Sequence, residues 1–246
     1  MGVFAGPKIP VNDVVIVADP RNSKSVTGST TEISNAAGEN HDFTVSQGGK
    51  AVSVKQDSVA GTVFSLDASM GLCTASITPV IPKYNFSVIC WIKRQSGKTG
   101  NYTDIWRTNT TDNPSFGYYF RCDTRLVGTE YVHLFVKDYN NNDWAQTNFV
   151  DNSAPDSWET NERWWCTAIT CAQESEHKVY RDGELKTTTP TTTEDLTSYG
   201  DIDEAWLGHF NSDSGCRVGY YALYRRALTA AEVKENFEAT RSRFGL

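Results

Sequence analysis

The chain has 246 residues, with 23 Lys and Arg against 30 Asp and Glu, for a formal net charge of −7. A nucleic-acid binder should concentrate its cations on one face, and here they are scattered, so neither nucleic acid nor an anionic membrane is an expected partner. No apolar stretch approaches the ~20 residues that span a bilayer, which argues against membrane insertion. Aromatics at 12%, with recurrent Thr and Val, suit pleated, half-buried strands.

Residues 1–12 contain Gly2, Gly6, Pro7 and Pro10 and read as an extended arm, leaving 13–246 as a single domain. The first residues lack the charged and apolar regions of a secretory signal, so no signal peptide is expected. Val14–Ala18 reads as a buried strand, and 19–50 as a long irregular stretch with a strand hint at Asp42–Val45. Ala51–Lys55, Val63–Leu66 and Cys73–Thr78 follow as strands, with Pro79 and Pro82 closing that unit. Phe86–Lys93 is the clearest central strand: Phe86, Val88, Cys90 and Ile92 form one face, while Ile89 and Trp91 make the other apolar too. A strand apolar on both faces is expected to be covered on both. Strands at Asp104–Arg107, Phe116–Arg121, Tyr131–Lys137 and Trp144–Phe149 come next.

Trp164–Cys171 is a further strand, and Asp182-Gly183 joins two more in a hairpin, because the favoured turn needs positive φ at both central residues. The chain ends in one convincing helix. Thr229 and Glu232 form a capping box, and Ala230, Val233 and Phe237 give an apolar stripe expected to seal an open side of the strands. Short strands spaced by turns predict a two-sheet antiparallel sandwich. Six cysteines with no C-x-x-C pair sit mostly inside apolar strand patterns and read as reduced, buried thiols.

Several of these segments resemble the concanavalin A-like, laminin-G-like jelly-roll domain found in virion proteins of tailed bacteriophages. They are the strand ending at Asp19 with its Ser25 loop, the Trp-bearing strand Phe86–Lys93, Trp164–Cys171, the hairpin Val179–Leu185, Trp206-Leu207-Gly208, and the closure Tyr224–Glu232. The resemblance implies an all-β jelly-roll sandwich with one short C-terminal helix. It also implies a virion protein made in the host cytoplasm, with other virion proteins as partners and a homo-oligomeric or particle-bound state. These motifs are scaffold features, and the binding loops of the family are not shared, so function does not transfer with the fold.

The chemistry is sparse. Asp201, Asp203 and Glu204 approach the acidic alternation of jelly-roll glycosidases, but Trp206 stands where the third acid would fall, and no G-x-S-x-G occurs. No catalytic residue is assigned, and the chain is expected not to be an enzyme. The polar tip between Tyr131–Lys137 and Trp144–Phe149 offers the better candidates. Tyr139, Asn141, Asp143 and Trp144 could form a carbohydrate platform, and Asp138, Asn140 and Asp143 carry oxygens of the kind calcium takes. No cofactor is expected beyond that calcium option. The expected function is a non-enzymatic virion surface protein, for capsid decoration or tail and fibre attachment, binding host-surface glycans. A glycan-cleaving enzyme on the same fold and a purely structural cement protein are the alternatives.

Overall fold

The alternation in the sequence builds two antiparallel sheets, packed face to face, with one short helix near the C-terminal end. The computed structural model describes residues 9, 12–26, 32–38, 41–45, 53–66, 73–94, 103–109, 116–123, 131–138, 144–150, 163–173, 176–189, 200–208 and 216–246. The strands of the first half are β1 Val14–Ala18, β2 Glu32–Ile33, β3 Phe43–Val45, β4 Val54–Asp57, β5 Gly61–Leu66, β6 Cys73–Ile81, β7 Phe86–Arg94 and β8 Thr103–Asn109. Those of the second half are β9 Phe116–Asp123, β10 Tyr131–Asp138, β11 Trp144–Val150, β12 Trp164–Gln173, β13 Glu176–Arg181, β14 Glu184–Thr189, β15 Ile202–Leu207 and β16 Cys216–Tyr224. Sheet I has the order β14-β13-β12-β7-β16-β5-β4, with β1 also on β16; sheet II has the order β11-β10-β9-β8-β15-β6-β3-β2.

The core between the sheets takes Phe86, Val88, Cys90 and Ile92 from β7, together with Trp165, Ile169 and Cys171 from β12. Sheet II contributes Ile33, Phe43, Cys73, Ala75, Ala205 and Leu207. Sheet I has a second apolar face, made of Ile89, Trp91, Trp164, Cys166, Ala168, Tyr220, Ala222 and Tyr224. Strand β16 serves both cores by changing parity. Cys216 and Val218 face sheet II, the register shifts between Val218 and Tyr220, and Tyr221 and Leu223 then continue on that side. One extra residue flips every side chain that follows.

The helix α1, Ala230–Thr240, and a 3-10 turn at Arg241–Phe244 cover the second face. Phe244 stacks on Trp91 with ring centroids 4.1 Å apart and lies 5.0 Å from Trp164. The bulge residue is Gly219, where a methyl group would collide with the Phe244 ring. The polar tips of this apolar layer are also satisfied: Trp91 Nε1 donates to Thr240 Oγ1 at 2.8 Å, and Asn236 Nδ2 to Tyr224 OH at 2.9 Å. Buried Ser87 ties the helix entrance to β7, accepting from Leu228 N at 2.8 Å and donating to Arg226 O at 3.0 Å.

The capping box forms as expected, with Glu232 N donating to Thr229 Oγ1 and Thr229 N to Glu232 Oε2. Arg226 adds a bidentate contact to Glu232, and that hydrogen-bonded pairing holds the Glu232 carboxyl down at about 2. The helix stripe differs from the expected one: Ala230 is exposed, and the buried residues are Val233, Asn236, Phe237 and Thr240. The inward face lies nearer the helix C-terminus because its contacts are with Trp91, Tyr224 and the Asp182-Gly183 hairpin.

At one margin of sheet I, the fully buried Asp57 carboxylate gathers five donors. Val59 N, Ala60 N and Trp164 Nε1 donate to Oδ1, and Lys93 Nζ and Arg217 Nη1 to Oδ2. Burial alone would raise its pKa, but these donors outweigh it and hold the group ionised far into acid. The hub joins the β4–β5 turn to β7, β12 and β16.

Other expectations shift by small amounts for local reasons. Pro79 does not end β6, which runs on to Ile81 through an irregularity between the pairs Glu204–Ser76 and Ile202–Ile81. A break in the ladder accommodates a residue without an N–H. The expected strand at 51–55 is β4 at Val54–Asp57, drawn on by the Asp57 hub. Asp182 and Gly183 both take positive φ, 51° and 77°, as their turn requires. Cys73, Cys90, Cys166, Cys171 and Cys216 are buried. Most of the arm at 1–12 lies outside the described residues, 9 and 12 excepted.

Two predictions follow from this packing. Phe244→Ala should cost about 3 kcal/mol in urea denaturation, because it empties a ring-sized space against two tryptophans. The exposed control Ser242→Ala should change nothing, and a Phe244→Ala loss under about 1 kcal/mol would show that the turn does not seal the sheet.

The second concerns acid. His177 is buried, and that desolvation pushes its pKa from 6.5 to about 4. The unfolded chain therefore takes the proton first, so this contribution is complete above about pH 6.5 and is lost as pH falls toward 4. Between pH 7 and pH 5 the wild type should lose about 2 kcal/mol that His177→Gln does not lose. Equal losses in both proteins would remove the assignment.

Candidate functional site

The helix and C-terminal turn occupy the outer face of sheet I, and among the described residues the outer face of sheet II offers the candidate surface. Strand β15 shows how it is made. Ala205 and Leu207 are buried in the inter-sheet core, while Glu204 and Trp206 alternate with them on the outer side, both half-buried. The Trp206 indole Nε1 donates to Glu204 Oε2, which fixes the ring along its own strand. From the adjacent strand, the Arg107 guanidinium stacks on the ring 3.8 Å from its centroid, within the range of a cation–π contact. Arg107 is 8% exposed and Trp206 is more exposed than that. The guanidinium therefore underlies the indole, and the ring is the outer member of the pair.

Register extends this unit across the sheet. Glu32 pairs with Thr44, Thr44 with Thr74, Thr74 with Trp206, Trp206 with Arg107, Arg107 with Tyr119, Tyr119 with Phe135 and Phe135 with Gln146. Directly opposed residues occupy the same face of a sheet, so one row crosses all eight strands. A neighbouring row runs Ser76, Glu204, Asn109, Gly117, Lys137 and Trp144. On the other side lies a row of Asp104, Arg121, His133 and Asn148. Aromatic, amide, hydroxyl and charged residues alternate along these rows.

The candidates read from the sequence relate to this face unevenly. Tyr139, Asn140, Asn141 and Asp143 lie outside the described residues. Asp138 is the last residue of β10, and Trp144 the first of β11, where it is the register partner of Lys137. Trp144 thus stands in the row next to that of Trp206. Asp201 is exposed and accepts from Lys83 N at 3.2 Å. Asp201 and Glu204 therefore both have hydrogen-bonding roles in holding β15. Among the described residues, no cluster of His, Cys, Asp and Glu could hold a metal ion. The pairing of Trp206 with Arg107 was not legible in advance, because it depends on the register of two strands about a hundred residues apart. The alternation Glu204, Ala205, Trp206, Leu207 was the one local sign of it.

No family model and no curated protein matches this sequence. Solved structures do match its fold. The receptor-binding domain of botulinum neurotoxin C/D mosaic serotype superposes with a TM-score of 0.68 at 15% identity, over 93% of this chain and 52% of that one. The binding domain of botulinum neurotoxin DC, solved in complex with rat synaptotagmin II, gives 0.68 at 13% identity over 94% and 52%. The serotype D binding domain gives 0.68 at 16% identity over 93% and 52%. The chain spans about half the length of these structures. At such identity the likeness concerns the β-sandwich fold alone.

Calcium can be tested directly. A structural ion binds the native state alone and raises its stability by mass action, so a chelator would lower the melting temperature if a loop held one. The expected result is an unchanged melting curve. A drop of several degrees, restored by calcium, would place an ion in the protein.

Proposed function

We propose that this chain is a non-enzymatic carbohydrate-binding protein of the virion surface of a tailed bacteriophage, attaching to host-surface glycans through the outer face of sheet II. The observation that carries the reading is the row centred on Trp206. It sets an indole, backed by a guanidinium and held by a carboxylate, among threonine and glutamine positions, with asparagines in the rows beside it. Aromatic rings stack on the apolar faces of sugars, while amides and hydroxyls match their hydroxyl groups.

The resemblance to phage jelly-roll domains supports the setting, since its shared residues do scaffold work here. Arg243 makes a bidentate contact to Asp19, Ser25 Oγ accepts from Asp19 N, and Arg226 braces the capping Glu232. On this reading the protein is particle-bound or homo-oligomeric.

A glycan array combined with a reducing-end assay separates this reading from its rivals. Binding without sugar release is expected, and Trp206→Ala should weaken it by about 1–3 kcal/mol, as the removal of one stacking anchor does. Release of reducing ends would instead favour a glycan-cleaving enzyme. An array with no bound glycan would favour a structural cement protein.

A further inference from the structure

We infer that Glu204 and Arg107 are positioning residues of this face. They fix the Trp206 indole in its working orientation before a sugar arrives, and they leave the ring only stacking to offer. The inference rests on the carbohydrate reading above and adds how the central ring of that surface makes its contact.

The first argument is the ring's own inventory. An indole has two faces and a single donor, Nε1–H, with no acceptor. Here the donor goes to Glu204 Oε2, and one face lies on the Arg107 guanidinium, 3.8 Å from the ring centroid. The second face is what remains for a ligand. A sugar can meet it with a patch of C–H groups, but can draw no hydrogen bond from the ring without displacing Glu204. The sugar hydroxyls must then find partners beside the ring. Half-buried Thr74 and exposed Thr44 continue the Trp206 row there, on β6 and β3.

The second argument is rigidity. Glu204 and Trp206 stand on one side of β15, and Ala205 and Leu207 on the other are buried in the inter-sheet core. Strand β15 is paired along both edges, with β6 and with β8. Arg107 is the register partner of Trp206 on β8, and its chain neighbours Trp106 and Thr108 are both buried. The carboxylate and the guanidinium are therefore mounted on backbone that the core holds still. Groups on such elements keep their geometry better than groups on loops. An unrestrained indole would surrender its rotamer freedom on binding and lower the affinity, whereas a ring held beforehand avoids that cost. A merely structural staple between β8 and β15 would leave sugar binding unchanged, so the test reads the ring and the sugar together.

Fluorine NMR of protein carrying fluorotryptophan, with hydrogen exchange of the indole N–H, reads the ring; the Trp206 signals are those lost in Trp206→Phe. Calorimetric titration with maltohexaose, cellohexaose and chitohexaose reads the sugar, and at least one of the three should bind. In the sugar-free wild type the Trp206 fluorine line should be single and sharp, and its Nε1–H slow to exchange. Saturation with the bound hexasaccharide should shift that line while Nε1–H stays protected. Glu204→Ala should broaden the line in the free protein and weaken binding about three- to tenfold. Glu204→Gln, whose amide oxygen still accepts from the indole, should recover most of both losses. Arg107→Lys keeps the charge but not the planar floor, and should weaken binding too. Undiminished binding by a folded Glu204→Ala, or a Glu204→Gln protein about tenfold weaker than wild type, would overturn the positioning role and leave carbohydrate binding standing. Loss of Nε1–H protection on adding sugar would overturn the stacking-only contact. A wild type that binds none of the three hexasaccharides would overturn the inference, and a blank array besides would remove the carbohydrate reading as well.

Discussion

The stacking of Phe244 on Trp91, over the bare backbone of Gly219, is the contact on which the arrangement of this protein turns. A sheet apolar on both faces cannot stand in water on one side, and sheet I is such a sheet. The chain solves this with its last residues, folding a helix and a 3-10 turn back across β7, β12 and β16. Burying that face at 20–33 cal/mol per Å² of apolar surface supplies a large part of the drive to dock the helix. The hydrogen bonds from Trp91 to Thr240 and from Asn236 to Tyr224 then fix where it docks. Gly219 performs two tasks at once, since its bulge turns Tyr220, Ala222 and Tyr224 toward the helix and its missing side chain admits the Phe244 ring.

That closure divides the labour between the two sheets. Sheet I is committed to stability, with a core on each side and the Asp57 hub at its margin. A carboxylate buried so completely would be a liability alone; with five donors it becomes a fixed point joining four strands. Among the described residues, sheet II contributes its inner face to a core, and its outer face carries polar and aromatic positions in long register rows. Residues can change on such a face without disturbing the fold, because those that hold the sandwich together are elsewhere. The same separation explains why likeness to other β-sandwiches at 13–16% identity concerns the architecture alone.

Much of this was readable in the sequence wherever the controlling interaction is local. The Asp182-Gly183 turn, the Thr229–Glu232 capping box and the double-sided character of Phe86–Lys93 each declare themselves within a few residues, and each forms. What escaped depends on partners distant in the chain. Asp57 looks like an ordinary turn residue until Lys93, Trp164 and Arg217 surround it. Gly219 looks like a loose spot in an aromatic strand until Phe244 arrives. Trp206 reads as one more strand residue, because its meaning comes from Arg107 on the neighbouring strand. Pro79 misled for the opposite reason, since a strong local signal was overridden by an irregular ladder. The tip with Asp138, Tyr139, Asn140, Asn141 and Asp143 was attractive for its composition, and its one strand residue on β11, Trp144, falls in the row beside Trp206.

The central claim is that the outer face of sheet I is sealed while Trp206 stands toward solvent on sheet II, and the tryptophans report on it directly. Hydroxyl-radical footprinting read by mass spectrometry measures the reactivity of each indole in the intact protein. The account requires Trp206 to be modified readily and Trp91, Trp164 and Trp106 to be refractory. An unreactive Trp206, or modification of Trp91 at a rate like that of an exposed residue, would contradict it.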